Sequence, residues 1–182
     1  HVDMRVRLAS QFELAKRNKI EALATIAKES NHQLARLHGI WGIGQISRRT
    51  TEIVTTLLPL LKDQDAEVRT QTAKIIGDSN YNSAYANLIV LLADKNARVR
   101  TQAAIALSKL DKGANKKVLS MLEKNNGTDP IVQHAGILAL TNHSKPEDLA
   151  KLSSSDSIAI KTAAVVALRR QKSKEVAAFL DD

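Results

Sequence analysis

The stretch DAEVRTQTAKIIGD (65–78) decides the fold, because it returns as NARVRTQAAIALSKL (96–110). The tetrad VRTQ at 68–71 recurs unchanged at 99–102, and 99 − 68 gives a spacing of 31 residues. Self-similarity at a fixed period between about 20 and 50 residues is typical of stacked structural repeats. The two copies therefore predict an array of repeats, and the rest of the chain can be searched for weaker copies.

Four further copies of the motif align with these two. The valine-like anchor positions are 6, 35, 68, 99, 132 and 160, which lie 29, 33, 31, 33 and 28 residues apart. Each copy places apolar residues at the i, i+3, i+4 and i+7 or i+8 spacing of one helix face, as Val99, Ala103 and Leu107 do at i, i+4 and i+8. We call these six segments the signature helices.

A second amphipathic segment lies between successive signature helices. These segments are predicted at 20–28, 52–61, 83–93, 116–124 and 147–152, with a last one beginning near Ser173. Polar turn residues such as those at 63–65, 78–80 and 153–155 separate them and can cap helix ends. The prediction is an all-α, right-handed α-solenoid of about six helical pairs, forming a single domain over 1–182. Because the chain opens and closes within a helical pattern, we interpret it as a segment of a longer chain.

Composition restricts the chemistry. The 182 residues include no cysteine, which excludes disulfides, thiolate metal sites and covalent haem attachment within this segment. No apolar run reaches the ~18 to 20 residues of a membrane span. The net charge of +8 favours anionic partners, although scattered Lys and Arg also simply solvate helical surfaces.

No catalytic or metal-binding motif is recognisable. His32 and His38 lie six residues apart, which does not place them on one helix face. The G-x-G at 42–44 falls inside a helical pattern, and G-x-S-x-G, P-loop and H-E-x-x-H motifs are absent from the sequence. We therefore predict no catalytic, cofactor or metal residues. The glycines at 39, 42 and 44 predict close approach of a neighbouring helix, with ligand approach as the alternative.

The motif D-x-x-V-R-x-x-A-x-x-A-L, followed approximately from Asp65 and more closely from Asn96, resembles HEAT repeats. In that family, paired Asp and Arg residues bond neighbouring repeats into a ladder. The resemblance assigns this role to Asp3/Arg7, Asp65/Arg69 and Asn96/Arg100. The pattern weakens to Asp129/Gln133 and Asp156/Lys161 in the last two copies.

A narrower resemblance concerns RVRLASQFELAKR (5–17) and LARLHGIWGIGQISRR (34–49). These segments resemble the HEAT region of bacterial putative membrane-bound dehydrogenases, in which a β-propeller precedes the repeats and a cytochrome c domain often follows. The resemblance implies a periplasmic or exported protein in which this segment links redox domains.

The signature helices are expected to line the concave side of the solenoid and to bind a partner. The candidate concave surface comprises Arg36, His38, Gln71, Arg98, Gln102 and His134. The favoured function is a non-catalytic scaffold that binds a protein or neighbouring domains of the same chain. The alternatives are a nucleic-acid-binding repeat protein, whose basic turns at 48–49, 109–117 and 169–174 stack along one edge, and a HEAT-like enzyme related to glycosylases or bilin lyases.

Overall fold

The computed structural model describes residues 1–180, and these form helices and turns without a strand. Asp181 and Asp182, which complete the predicted domain, lie outside the described residues. The signature helices are α1 (Met4–Lys16), α3 (Gln33–Ser47), α4 (Ala66–Asp78), α6 (Ala97–Leu107), α8 (Pro130–His143) and α10 (Ile158–Arg170).

The alternating segments are shorter and less regular. They are α2 (Ile20–Glu29), a 3₁₀ helix (Thr51–Lys62), α5 (Tyr85–Leu91) after a 3₁₀ turn (Asn82–Ala84), α7 (Asn115–Asn125), α9 (Pro146–Ala150) continued by Lys151–Ser154, and a 3₁₀ helix (Lys174–Phe179). Pro59 lies inside the second of these and lacks the N–H that a regular α-helix would use there. The prediction of an all-helical solenoid with six pairs is confirmed, whereas its handedness stays a prediction.

Most signature helices begin at a capping side chain. Asp3, Asp65, Asn96, Asp129 and Ser157 each accept a hydrogen bond from a backbone N–H in the first helical turn. These side chains satisfy donors that the helix itself leaves free. The exception is α3, where His32 occupies the cap position and makes no such bond.

The helices pack in a single stack. Each signature helix contacts the next signature helix, and from α4 to α8 it packs on the segment before it rather than on the segment after it. One buried cluster runs from Ala15 to Val68 and a second from Val54 to Leu168, and Ile75 packs against both. Because neighbours share buried side chains, the repeats stabilise one another.

The glycine-rich face of α3 is a packing surface. A Cβ at Gly39 would lie 2.7 Å from the Leu23 carbonyl oxygen and 2.8 Å from the Ala27 nitrogen, so α2 contacts α3 backbone to backbone. At Gly44 the nearest atom is instead Cδ1 of Ile75, at 2.5 Å, which comes from the next signature helix. The predicted close approach of helices is thus what these glycines provide.

Candidate functional site

Two arginine–aspartate pairs join successive repeats. Arg69 donates from Nε and Nη2 to the two carboxylate oxygens of Asp94, at 2.8 and 2.9 Å. Arg36 also bonds both oxygens of Asp63, but through its two terminal nitrogens, with Nη1 at 3.1 Å from Oδ1 and Nη2 on Oδ2. The Arg69 and Asp94 side chains are 7% and 10% exposed, so this pair is nearly shielded from water. We call these pairs the ladder.

The acidic members of the ladder differ from the sequence expectation. Asp3, Asp65 and Asn96 are helix caps rather than partners of Arg7, Arg69 and Arg100, because their side-chain oxygens accept the N–H groups of the first turn. Asp3 also pairs with the exposed Arg5 of its own helix. The partner carboxylate instead lies two residues before the cap of the following repeat. Asp63 and Asp94 are 94 − 63 = 31 residues apart, so the same period that revealed the signature helices also carried this signal.

Three of the four arginines at the fourth position after the cap, Arg7, Arg69 and Arg100, share one pose, whereas Arg36 donates from Nε to the Ala27 carbonyl instead. Nη1 of Arg69 donates to the carbonyl oxygens of Asp63 and Gln64, at 2.7 and 3.1 Å. Arg7 and Arg100 make the equivalent two bonds to the backbone before their own helices. These side chains therefore brace the turn that precedes each signature helix.

Arg36 was wrongly assigned to the candidate binding surface. Its guanidinium donates to the Ala27 carbonyl at 2.9 Å as well as to Asp63, and the side chain is only 14% exposed. Since its donors are satisfied inside the stack, it belongs to the ladder.

Four of the remaining candidates, His38, Gln71, Arg98 and Gln102, lie on one face, and His134 lies beside it. Counted from the cap, the second, sixth, ninth and thirteenth positions of a signature helix lie on one side. His38, Gln71 and Gln102 are each at the sixth position, Arg98 is at the second, and His134 is at the fifth. The ninth position forms a mostly apolar row: Phe12, Trp41, Lys74, Ile105, Leu138 and Val166. We call the side defined by these positions the signature face; that it is concave stays a prediction.

A continuous set of side-chain contacts crosses four repeats on this face. His38 Nδ1 lies 2.7 Å from Gln11 Oε1, and the His38 and Trp41 rings meet edge to face at 5.1 Å. Trp41 Nε1 donates to Gln71 Oε1 at 2.9 Å.

The contacts continue towards the fourth repeat. Gln71 Nε2 donates to Glu67 Oε1 at 2.8 Å, and Arg98 Nη2 bonds the same oxygen at 3.2 Å. We call the set Gln11, His38, Trp41, Gln71, Glu67 and Arg98 the polar chain. Because each member is held by a neighbouring repeat, the polar chain orients the signature face before any partner arrives.

His38 is held in a partly buried position within the polar chain. Burial lowers the pKa of His38 below its ordinary value of 6.5, and the positive charge of Arg7 lowers it further. The imidazole is therefore neutral at pH 7. With Nδ1 donating to Gln11, Nε2 is left as a hydrogen-bond acceptor.

Most of the exposed charged side chains on the signature face are cationic. Arg5, Lys16, Lys74, Lys109 and Arg170 are exposed there together with Arg98. Asp78 is bonded by both Lys74 and Lys109, which leaves little free negative charge at that point. The ninth-position row is partly buried apart from Phe12 and Lys74, which are exposed. A partly buried apolar row beside cationic side chains favours a partner with acidic and apolar groups.

The predicted basic groups at the turns are also exposed. Arg48, Arg49, Lys116, Lys117 and Arg169 all present their side chains to solvent. Lys112 lies over the Tyr85 ring, 4.9 Å from its centroid, where the ring face attracts a cation. Arg48 and Arg49 directly follow α3, whereas Lys116 and Lys117 lie in the first turn of α7 and Arg169 lies in the last turn of α10.

Residues 1–180 hold no cluster of three or more His, Asp or Glu residues that could bind a metal ion. Over the same range, no helix is both long and apolar enough to cross a bilayer.

Known proteins resemble the chain at the level of the repeat. The sequence model of the family described as "HEAT repeats" matches residues 20–108 and again residues 54–141, which together span two thirds of the chain. The crystal structure of an engineered protein is similar, with a TM-score of 0.57 and 20% sequence identity over 91% of this chain and 84% of that one. At this identity the likeness concerns the fold alone. No curated protein sequence matches the chain.

Proposed function

Because this chain belongs to the HEAT-repeat family, we propose that it is a non-catalytic scaffold that binds a partner protein on its signature face. The observation that carries the proposal is the polar chain. Its side chains are linked from Gln11 to Arg98 across four repeats, so a partner meets a surface whose side chains already contact one another. Preorganisation of this kind lowers the entropy lost on binding.

The composition of the signature face supports a protein partner. Phe12 is 50% exposed and Leu34 is 49% exposed, on a face that also carries exposed arginine and lysine side chains. Aromatic, aliphatic and arginine side chains on one surface are the usual anchors of protein interfaces. A nucleic-acid partner would require backbone-contacting cations together with aromatic stacking, and the basic turns supply only the first of these.

We place this scaffold, as a finer proposal, within a larger exported dehydrogenase-like protein. The resemblance of 5–17 and 34–49 supports this context, and Trp41 and His38 of the polar chain lie in the second of these segments. In that setting the partner is a neighbouring redox domain or its electron-transfer protein. The scaffold itself contributes binding, and the redox chemistry resides elsewhere.

The proposal is tested with two charge-reversal variants. Arg98→Glu changes the signature face, whereas Lys117→Glu changes an exposed lysine of α7 outside it. Proteins from the source cell that crosslink to wild-type chain are identified by mass spectrometry. The strongest of them is purified and its affinity for all three chains is measured.

We expect Arg98→Glu to weaken that affinity at least tenfold and Lys117→Glu to leave it unchanged. Equal affinities for wild type and Arg98→Glu would show that the signature face is not the binding surface. Turnover of a substrate by the purified chain would contradict the non-catalytic assignment.

A further inference from the structure

The ladder is interrupted at its third arginine. Arg100 holds the same pose as Arg69, since its Nη1 donates to the carbonyl oxygens of Asp94 and Lys95 at 2.9 and 3.2 Å. Its Nε and Nη2 make no hydrogen bond to any side chain or backbone group of residues 1–180, although the corresponding atoms of Arg69 bind a carboxylate.

The sequence explains the missing carboxylate. Asp63 and Asp94 lie two residues before the caps Asp65 and Asn96, and the residue two before the next cap, Asp129, is Gly127. Gly127 has φ +74°, and a Cβ added to it would meet nothing within 4 Å. The position that carries the ladder aspartate in two repeats is thus a glycine in the third, which has no side chain to pair with Arg100.

Asn125 replaces the missing aspartate as an acceptor for the backbone N–H of the cap residue, but not as a partner of the arginine. In the intact repeats, the aspartate Oδ1 also accepts the N–H two residues on, as Asp94 does from Asn96 at 2.8 Å. In the third, Asn125 Oδ1 accepts the Asp129 N–H at 3.2 Å, and its amide donates to the Asp129 carbonyl. The cap is satisfied, but a neutral amide stands where the other repeats carry a charge.

A cavity of about 230 Å³ lies beside the free edge of Arg100. Its other charged lining residues are Lys124 and Asp94, and the Asp94 carboxylate is already bound by Arg69. Leu92 and Met121 provide apolar walls. The charged groups in the cavity that lack a counter-charge within residues 1–180, Arg100 and Lys124, are therefore positive. Nε and Nη2 of Arg100 present the two parallel donors that bind a carboxylate.

We propose that this cavity, which we call the open rung, binds the carboxylate of an aspartate or glutamate side chain from a partner protein. The partner thereby supplies the group that Asp63 and Asp94 supply from within the chain. A carboxylate fits better than a phosphate dianion, because Asp94 lies close enough to repel a second negative charge. The assignment rests on the proposed function, in that the partner is a protein.

The test follows the arginine Nε–H signals of ¹⁵N-labelled protein during titration with sodium acetate, against sodium chloride at equal ionic strength. We expect the Arg100 signal to shift and saturate with acetate, while the Arg36 and Arg69 signals stay in place because their carboxylates are already bound. The two paired arginines also report whether each variant has folded.

Matched variants locate the site. Arg100→Lys, which lacks the arginine signal and is followed on the backbone amides of Lys124 and Asn125, retains the charge but not the two-pronged donor edge, and should weaken acetate binding at least tenfold. Asn125→Asp places a carboxylate in the cavity, and should shift the Arg100 signal without acetate and abolish the response to it. Lys117→Gln removes an exposed cation of α7 that lies outside both the cavity and the signature face, and should respond like wild type. An Arg100 signal that ignores acetate overturns the proposal, as does an Arg100→Lys variant that binds acetate like wild type.

The source of the carboxylate is tested with blocked pentapeptides that carry a central glutamate or glutamine among alanines. We expect the glutamate peptide to bind more tightly than acetate, because Leu92 and Met121 contact its methylene groups, and the glutamine peptide not to bind. Equal affinities for acetate and the glutamate peptide would show that the open rung takes free carboxylates, which overturns the assignment to a partner. A negative result at Arg100 would not change the expected effect of Arg98→Glu on partner affinity. The carboxylate site and the signature-face proposal are therefore tested independently.

Discussion

Arg69 and Asp94 form a two-pronged ion pair between the third signature helix and the turn before the fourth, with both side chains at least 90% shielded from solvent. Breaking such a pair leaves a buried charge without compensation, which costs about 3–5 kcal/mol. The pair therefore fixes how one repeat sits on the next.

Asp94→Asn should lower the free energy of unfolding by about 3 kcal/mol, because Arg69 loses its counter-charge while the amide keeps the shape of the side chain. Urea denaturation followed by circular dichroism measures the change. The control is Asp148→Asn, which disrupts the exposed Asp148–Lys151 pair and should leave the urea midpoint where it is. Equal effects of the two substitutions would contradict the structural role of the ladder.

Acid should destabilise the protein through the ladder carboxylates. Burial opposes ionisation of Asp63 and Asp94, but hydrogen bonds from Arg36 to Asp63 and from Arg69 to Asp94, with the arginine charges, outweigh it and hold both pKa values below the usual 3.8.

A carboxyl group with a depressed folded-state pKa contributes stability above its unfolded pKa, and that stability is lost as pH falls through the folded value. The free energy of unfolding should therefore drop below about pH 4. The Asp63→Asn variant should show a smaller drop between pH 5 and pH 3 than wild type; an identical pH dependence would count against the assignment.

Gly39→Ala should destabilise the chain although alanine is the better helix former. The helix propensity gain is about 1 kcal/mol, whereas a Cβ 2.7 Å from the Leu23 carbonyl forces two backbones apart. We expect a net loss of about 2 kcal/mol, within the range for overpacked interiors.

Gly44→Ala is the matched control for this prediction, since its Cβ meets the end of the Ile75 side chain, which can turn away. Thermal denaturation should place Gly44→Ala near wild type and Gly39→Ala well below it. The reverse order would mean that α2 and α3 are not in backbone contact.

The fluorescence of Trp41 should report the ionisation of His38. The chain has one tryptophan, and its ring lies 5.1 Å from the His38 ring. A protonated imidazole quenches a neighbouring indole, so emission should fall as pH decreases, with a midpoint below 6.5 because burial lowers the His38 pKa.

The same depressed pKa implies that stability begins to fall below about pH 6.5 and continues to fall until the folded-state pKa is passed. His38→Gln should remove the fluorescence transition while keeping a hydrogen-bonding side chain beside Gln11. A transition that persists in this variant would assign the quenching to another group.

The fold was predictable because stacking imposes its period on the sequence. The anchor valines Val68 and Val99 are fully buried, and because burial requires an apolar residue at each such position, their spacing is visible in the sequence. Caps such as Asp65 were visible as polar residues before apolar runs, but a cap and a ladder aspartate look alike in one sequence. Only the turn geometry distinguishes Asp65 from Asp63.

The candidate site was less predictable because its contacts depend on the offset between neighbouring helices. His38, Gln71 and Gln102 share a position in the repeat, and the period placed them in one row. The bond from Trp41 to Gln71 joins the ninth position of one helix to the sixth of the next, and no sequence period specifies that pairing. Arg36 was misassigned for the related reason that its partner, Asp63, lies in the following repeat.

The side-chain pairs described above that link one signature helix to the next, or to the turn before it, join residues from 25 to 31 positions apart, so each of these links connects immediate neighbours. The number of repeats in such a chain can therefore change during evolution without disturbing the contacts within the remaining repeats. Duplication of a whole unit copies both sides of every junction, whereas insertion of part of a unit leaves a junction with mismatched sides. Gain or loss of complete units is the path by which this architecture changes its reach.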